Sequence, residues 1–335
     1  MKNILKCLIF YTVFINSQFF CFGRAEFSSK STKLMQNKIN VYYQKEFSPG
    51  DPIFVVAKIS RDKKDGNSQN ITKIKIHLFQ KQDDNEEKKI ESSELYCINA
   101  GFPQKKADLF IGGLPASSFL KNGKYYIKPE FFTDKSNEFQ KEKKLILPIK
   151  LIEKKFVEEV IPLNQKNTAI KTDTSRKRTV QINTLNKILE TSDEKSIFET
   201  NGFQYPSSAT RRTSFFADRR TYRYVNGKTS TSLHYGIDWG APEGTEIFAC
   251  GRGKVALAEF RNSTGWSICI EHFPGLYSLY YHLSSIKVKE GDFVEKGDFI
   301  GFSGSTGLAT GPHIHWEIRL NSKAVNPDWF VENIP

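Results

Sequence analysis

Short runs in which apolar and polar residues alternate recur along most of the chain and predict β-strands. Between residues 40 and 152 these runs are separated by turn signals such as Ser48-Pro49-Gly50-Asp51-Pro52. The clearest runs are Pro52–Ile59, Ile74–Phe79, Tyr125–Pro129 and Leu145–Leu151. Several short strands at this spacing predict an immunoglobulin-like β-sandwich over residues 40–152.

The strand-like pattern returns over residues 203–335, where glycine-rich segments such as Gly251-Arg252-Gly253 break it. Its main runs are Thr245–Cys250, Lys254–Phe260, Trp266–Glu271 and Leu276–Leu283. None of the apolar patterns there indicates a helix of ordinary length. We therefore expect a mainly β chain, in which the sandwich is followed by a domain built on an antiparallel, barrel-like sheet.

Two segments lack this alternation. Residues 26–39 are mostly polar and rich in Ser and Lys, and we expect a flexible lead there. Residues 153–202 are polar and charged and predict a linker, in which Thr184–Thr191 forms a short helix with Leu185, Ile188 and Leu189 on one face. The linker or the sandwich either joins the domains passively or covers the groove of the next domain until a regulatory partner or proteolysis frees it.

The first 25 residues have the pattern of a secretory signal. Two lysines precede the short apolar run Cys7–Ile15, and Gly23-Arg24-Ala25 offers small residues for a signal peptidase. We expect export to the periplasm or cell envelope. Cleavage after this segment, its retention, and lipidation at Cys21 with membrane anchorage are the alternatives.

Composition adds a modest constraint. Hydrophobic residues make up 39% of the chain, which is enough for sizeable cores and argues against wholesale disorder. The net charge of +12 lies mostly upstream, because residues 211–335 hold 14 Lys and Arg against 13 Asp and Glu. We interpret the excess as a solvated lysine-rich surface and expect no nucleic-acid partner.

Three cysteines, Cys97, Cys250 and Cys269, follow the signal-like segment. Their spacing fits no metal motif. An exported protein could form one disulfide, with Cys250–Cys269 as the candidate pair, and three buried thiols are the alternative.

Histidines are concentrated in one part of the chain. Five of the six lie between His234 and His315. His313 and His315 alternate along a predicted strand, so both side chains leave the same face. His234 and Asp238 offer an imidazole and a carboxylate, both of which suit Zn²⁺. The concentration predicts a metal site.

A catalytic zinc site needs three protein ligands and an open position, and a further imidazole can serve as general base or hydrogen-bond donor. The candidates for these roles are His234, Asp238, His282, His313 and His315. His272 lies before a turn, and we expect it at the surface. His77 stands alone in a strand-like run, and we expect a structural role.

Two stretches of the chain match the motifs of a known family. They are His234-Tyr235-Gly236-Ile237-Asp238 and Gly304–Glu317, which ends in Gly311-Pro312-His313-Ile314-His315-Trp316-Glu317. With Tyr281-His282-Leu283 between them, they resemble the M23 family of peptidoglycan-cleaving zinc endopeptidases, the lysostaphin and LytM type. The resemblance covers about the last third of the chain.

The resemblance implies one Zn²⁺ held by His234, Asp238 and His315, with His282 and His313 as catalytic residues that do not bind the metal. It also implies hydrolysis of peptide cross-links in peptidoglycan. No position of the motifs is replaced. A departure lies upstream, where Phe216-Ala217 stands in place of the more usual Phe-Gly.

An extended cross-link peptide would lie along an open groove, for which Tyr235, Tyr280, Tyr281 and Trp316 are candidate lining residues. One alternative is a non-catalytic member of the same family that binds peptidoglycan or activates another hydrolase. Another is a biotinyl- or lipoyl-type carrier, which Val288–Gly301 resembles, but this explains none of the histidines.

Overall fold

The computed structural model describes residues 12–15, 18–21, 25–34, 37–61, 70–82, 86–99, 107–134 and 145–334. Strands dominate these ranges. Those of the N-terminal part are β1 (Thr12–Ile15), β2 (Gln18–Cys21), β3 (Phe27–Leu34), β4 (Asn37–Gln44), β5 (Glu46–Phe47), β6 (Pro52–Arg61), β7 (Ile71–Lys81), β8 (Glu87–Cys97), β9 (Ala107–Pro115), β10 (Lys124–Thr133) and β11 (Leu147–Leu151).

The remaining strands are shorter on average and end near the C-terminus. They are β12 (Glu158–Pro162), β13 (Arg212–Ser214), β14 (Arg219–Arg223), β15 (Thr229–Leu233), β16 (Ile237–Gly240), β17 (Glu246–Phe248), β18 (Gly253–Arg261), β19 (Gly265–Phe273), β20 (Leu276–Leu283), β21 (Ser285–Ile286), β22 (Phe293–Val294), β23 (Phe299–Phe302), β24 (His313–Leu320) and β25 (Lys323–Val325). The helices are α1 (Gln165–Thr172), α2 (Arg176–Leu189) and α3 (Pro327–Glu332).

Nine strands of the N-terminal part form one sheet in the order β3-β4-β6-β9-β8-β7-β10-β11-β5. The sheet bends at β8, which pairs with β7 along most of its length but with β9 only at Tyr96 and Cys97. Side chains of both halves, such as Ile53 on β6 and Ile76 on β7, meet in one buried core. The strand-rich prediction for this part is confirmed, whereas the immunoglobulin-like class of the sandwich stays a prediction.

The flexible lead predicted over residues 26–39 is wrong. Most of it forms β3 and the start of β4, which pair in antiparallel register from Phe27 opposite Gln44 to Leu34 opposite Asn37. The polar composition that suggested flexibility belongs to an edge strand, where one side is exposed and charged side chains are common. Of the predicted signal segment 1–25, most residues lie outside the described ranges, and β1 and β2 form an antiparallel pair.

The C-terminal part is built on a curled eight-stranded sheet, as the alternating runs predicted. Its strands follow the order β13-β16-β24-β20-β19-β18-β22, with β25 paired to β24, and every described pairing is antiparallel. Alternate residues of β24, including Ile314, Trp316 and Ile318, are fully buried in the core. The side chains at the other alternate positions of β24, such as His313 and His315, point to the opposite face, where polar groups can be accommodated.

The segment predicted as a linker contains β12, α1 and α2. α2 begins at Arg176, earlier than the predicted helix over Thr184–Thr191, because Ser175 caps it by accepting a hydrogen bond from the Arg178 amide. Its first turns carry basic residues that favour helix but give no apolar periodicity. Leu185 and Leu189 are buried against the C-terminal sheet. None of the helices in the described ranges is long and apolar enough to cross a membrane.

Candidate metal centre and active site

Three of the sequence-predicted residues converge at the centre of the C-terminal sheet. Asp238 on β16 lies directly opposite His315 on β24 in the strand register. His234 precedes β16 in a tight segment, in which a Cβ at Gly236 would lie 2.2 Å from the Trp316 carbonyl oxygen. Only glycine therefore lets this segment pack so closely on β24.

The ligand atoms of these three residues lie at short distances from one another. His315 Nδ1 is 2.7 Å from Asp238 Oδ1 and 2.9 Å from His234 Nε2, and His234 Nε2 is 3.1 Å from Asp238 Oδ1. Ligands at about 2.0–2.1 Å from a tetrahedral ion lie roughly 3.3 Å apart, so small outward shifts would accommodate a metal. The donor set, two imidazoles and a carboxylate, fits a metal ion of borderline softness.

Hydrogen bonds fix which nitrogen of each imidazole faces the centre. His234 Nδ1–H donates to the Phe215 carbonyl oxygen at 2.8 Å, which leaves Nε2 directed at Asp238. His315 Nε2–H donates to Glu317 Oε1 at 2.9 Å, which leaves Nδ1 directed at the same point. Partners of this kind orient the imidazoles that hold a metal.

Electrostatics favour a positive charge at this point. Burial opposes ionisation of Asp238, yet His234 and His315 hold its pKa well below the usual range. Burial likewise opposes a charge on His315, but the carboxylates of Asp238 and Glu317 raise its pKa to about 9. Burial lowers the pKa of His234. The buried carboxylates of Asp238 and Glu317 can therefore neutralise the charge of a cation at this centre.

His282 and His313 lie beside the three residues as a second pair, with ring centroids 4.7 Å apart. His282 Nδ1–H donates to the Thr306 carbonyl oxygen and His313 Nδ1–H to that of Gly311, both at 2.8 Å. His313 Nε2 lies 4.0 Å from Asp238 Oδ1. Burial lowers the pKa of His282 to about 3 and also lowers that of His313. Both Nε2 atoms are thus available as acceptors next to the centre.

Residues of the linker helices share a groove with this centre. Its volume is about 260 Å³, and Ile170, Lys171 and Arg178 line it together with His234, His282 and His315. Of the four aromatic residues expected there, Tyr235 and Tyr281 line the groove. Tyr280 and Trp316 are fully buried instead, because they lie at strand positions that face the core.

His272 is not at the surface as predicted. It is fully buried: Nδ1–H donates to the Arg252 carbonyl oxygen at 2.7 Å, and Nε2 lies 2.7 Å from the Ser278 hydroxyl. The nearby turn suggested exposure, but the Phe203 ring packs on the imidazole and shields it from solvent. His272 still lies outside the candidate centre. His77, expected to be structural, is buried beside Ser92 and Glu130.

The candidate disulfide between Cys250 and Cys269 is not formed. Both side chains are fully buried thiols, and burial raises the pKa of Cys250 to about 12. This outcome agrees with the alternative of buried thiols for these two residues.

Two residues of the site were not assigned a role from the sequence. Glu317 continues the alternation of His313 and His315 on one face of β24, so the spacing of two could have identified it. Arg220 on β14 donates to Asp238 Oδ2 at 3.0 Å and to Glu159 Oε1 at 2.6 Å. Asp218-Arg219-Arg220 resembles the approach of the M23 family to its first ligand, but the sequence did not indicate that Arg220 pairs with residues on β12 and β16.

Comparison with known proteins identifies a family for the part of the chain that contains this centre. Residues 232–327 match the family model described as peptidase family M23. These residues belong to peptidase family M23. The M23 domain so defined contains all five predicted site residues, from His234 to His315.

Two curated relatives resemble the M23 domain and its flanks. DD-carboxypeptidase/endopeptidase Mpg of Neisseria meningitidis serogroup B is 40% identical over 136 residues, 40% of this chain and 30% of that protein. Peptidoglycan DD-endopeptidase ShyA of Vibrio cholerae serotype O1 is 35% identical over 132 residues, 39% of this chain and 30% of that protein. The chain thus matches less than a third of the length of either relative.

A solved structure extends the likeness beyond the M23 domain. A putative peptidase M23 from Pseudomonas aeruginosa superposes with a TM-score of 0.52 over 86% of this chain and 96% of its own, at 18% identity. This likeness concerns the fold and includes strands of the N-terminal part.

Proposed function

We propose that the chain is a zinc-dependent metalloendopeptidase that hydrolyses peptide cross-links of peptidoglycan. The convergence of His234, Asp238 and His315, with the imidazole pair His282 and His313 beside them, carries the proposal. The M23 domain and the likeness to Mpg and ShyA support it.

In this proposal His234 Nε2, Asp238 Oδ1 and His315 Nδ1 hold the metal. When bound, Zn²⁺ would polarise the scissile carbonyl and lower the pKa of a water molecule. The Nδ1–H groups of His282 and His313 are engaged by Thr306 and Gly311, which leaves the Nε2 atom of each imidazole free to accept a proton beside the centre. One of them would accept the proton of the attacking water at Nε2, and the Nε2–H so formed would hydrogen-bond the oxyanion before the proton passes to the leaving amine.

The finer features of this function are also proposals. We propose that the protein acts outside the cytoplasm, in the periplasm or cell envelope, after export directed by its N-terminal segment. Release, anchorage to the membrane and control by a protein partner remain alternatives. The N-terminal sandwich is proposed to be an immunoglobulin-like accessory domain.

Replacement of His315 by Ala tests the function. The full-length protein should contain about one zinc per chain by atomic emission, and should cleave purified sacculi. His315→Ala should lose both the metal and the cleavage, because it removes a ligand and leaves the buried Asp238 without its partner.

The matched control is Asn333→Ala, at the end of α3 and not among the residues that line the groove, which should keep both properties. Cleavage by His315→Ala, or by wild type after complete removal of metal, would rule out the mechanism. Binding of zinc and sacculi without any cleavage would favour the non-catalytic alternative.

A further inference from the structure

A strand of the segment expected to be a linker reaches the candidate metal centre through one arginine. β12 pairs in parallel with β14, and Glu159 lies directly opposite Arg220 in the register. Arg220 Nε donates to Glu159 Oε1 at 2.6 Å, and Arg220 Nη2 donates to Asp238 Oδ2 at 3.0 Å. The guanidinium therefore connects the linker strand to one of the three residues that would hold the metal.

The contact with Arg220 determines which oxygen of Asp238 faces the centre. Oδ2 accepts the hydrogen bond from Arg220. Oδ1 lies 2.7 Å from His315 Nδ1 and 3.1 Å from His234 Nε2. A carboxylate held in this way presents one oxygen to a metal ion, because the other is engaged by the guanidinium. Arg220 is thus placed to orient Asp238, as the partners of metal ligands commonly do.

The charge of Arg220 would oppose a metal ion unless another acid compensated it. The side chains of Arg220 and Asp238 are 13% and 8% exposed, so solvent screens their charges only weakly. Asp238 alone would have to balance both the guanidinium and the cation. Glu159 supplies a second carboxylate, 2.6 Å from the guanidinium. This ion pair leaves the charge of Asp238 available for the metal.

The neighbouring pair on the same two strands belongs to the other face of the small sheet. Glu158 lies opposite Arg219 in the register, and alternation along each strand directs this pair away from the side that carries Arg220. Arg219 donates to the hydroxyl and the carbonyl oxygen of Ser118 at 3.0 and 2.7 Å. Glu158 is therefore an acid of equal charge on β12 whose position faces away from Asp238.

We propose that Glu159 is a positioning residue of the metal centre: it holds Arg220 and balances its charge, so that Arg220 orients Asp238 without opposing the metal. The proposal rests on the metal site of the proposed function. It gives a role to a strand that lies outside residues 232–327, which match the M23 family model. The linker segment thus contributes to the centre in addition to joining the two parts of the chain.

The zinc dissociation constant of the full-length protein tests the role of Glu159. Glu159→Gln keeps the shape of the side chain and removes its charge, so zinc should bind about tenfold more weakly, at the lower end of the range for residues that support metal ligands. Competition with a chelating dye measures the change. Glu158→Gln is the matched control: it removes the same charge from the adjacent position of β12 and should bind zinc like the wild type.

A second background separates positioning from a general effect on the fold. In Arg220→Gln there is no guanidinium for Glu159 to hold. Adding Glu159→Gln to this variant should therefore change the dissociation constant by less than about twofold, because the two residues act as one unit. An effect that arose from weaker pairing of β12 with β14 would persist in the Arg220→Gln background.

Equal dissociation constants for Glu159→Gln and Glu158→Gln would overturn the positioning role and leave the proposed function standing, because zinc would still be bound. A tenfold loss that persisted in the Arg220→Gln background would also overturn it. Absence of zinc from the wild type would instead contradict the proposed function, and the positioning role with it.

Discussion

Glu317 holds the His315 imidazole from the side away from Asp238. Its Oε1 accepts the Nε2–H hydrogen bond, while Oε2 lies 2.7 Å from Arg319 Nε. A carboxylate in this position fixes the ring orientation and increases the basicity of the nitrogen that faces the metal.

Replacement of Glu317 by Gln should therefore weaken zinc binding by about 10- to 100-fold, because the amide orients the ring less strongly and carries no charge. Competition with a chelating dye measures the dissociation constant. Glu243→Gln, at an exposed turn, is the control and should bind zinc like the wild type. A dissociation constant unchanged in Glu317→Gln would show that Glu317 does not support the centre.

Ala217 occupies a backbone conformation that favours glycine. Its φ is 63°, and its amide donates to the His234 carbonyl oxygen at 2.7 Å. The substitution of Ala for the more usual Gly at this position was the one departure noted in the sequence. The turn is kept despite the steric cost of a Cβ in the left-handed region.

Ala217→Gly should raise the free energy of unfolding by up to about 1 kcal/mol, because relief of this strain exceeds the added freedom of the unfolded chain. Urea unfolding measures the change. Ala241→Gly is the control: Ala241 is buried but has no positive φ, so this change should destabilise. A lower free energy of unfolding in Ala217→Gly would show that the backbone of Ala217 is not strained.

Much of the centre could be predicted from single residues. Alternation along β24 places His313 and His315 on one face, and the resemblance separates ligands from non-ligands. The burial of His272 could not be predicted, because it depends on Phe203, which is remote in sequence. Arg220 was missed for a similar reason, since its partners lie on other strands.

At the scale of elements, the strands were predicted more accurately than the helices. The run Leu276–Leu283 coincides with β20, because most of its residues are aliphatic or aromatic and the strand is buried on both faces. For α2 the apolar periodicity covers only the second half. The first half is mostly polar, and its apolar residues Val180 and Ile182 are exposed, so it gave no amphipathic signal for a helix.

Docking of α2 rests on a small apolar contact. Leu189→Ala should lower the free energy of unfolding by about 2 kcal/mol or more, because Leu189 is buried against the sheet. Ile182→Ala on the same helix is the control and should cost less, since 40% of that side chain is exposed. Equal effects of the two changes in urea unfolding would show that the helix is not held at this face.

On the scale of the whole molecule, the N-terminal sheet and the C-terminal part of the chain share a hydrophobic core. Phe54 on β6 stacks on Trp329 of α3 with ring centroids 5.1 Å apart, and Asn326 Nδ2 donates to Asp51 Oδ1 at 2.9 Å. The sequence predicted two β-rich parts but not this contact. Periodicity indicates which face of a strand is buried, and it does not identify a partner 275 positions away.

This shared core joins the N-terminal sheet to the part of the chain that carries the candidate centre. α3 follows β25, which pairs with β24, and β24 carries His313 and His315. The fold therefore connects the N-terminal sheet to the strand at the centre of the site. Full-length protein is accordingly the right material for measurements of its activity.

Mass analysis of the muropeptides released from purified sacculi tests the central proposal most directly. Zinc-loaded full-length protein should convert cross-linked dimers into monomers whose summed mass exceeds that of the dimer by one water molecule, and His315→Ala should leave the dimers intact. Persistence of the dimers with the wild type, or their equal loss with His315→Ala, would contradict the proposal that this centre hydrolyses peptide cross-links.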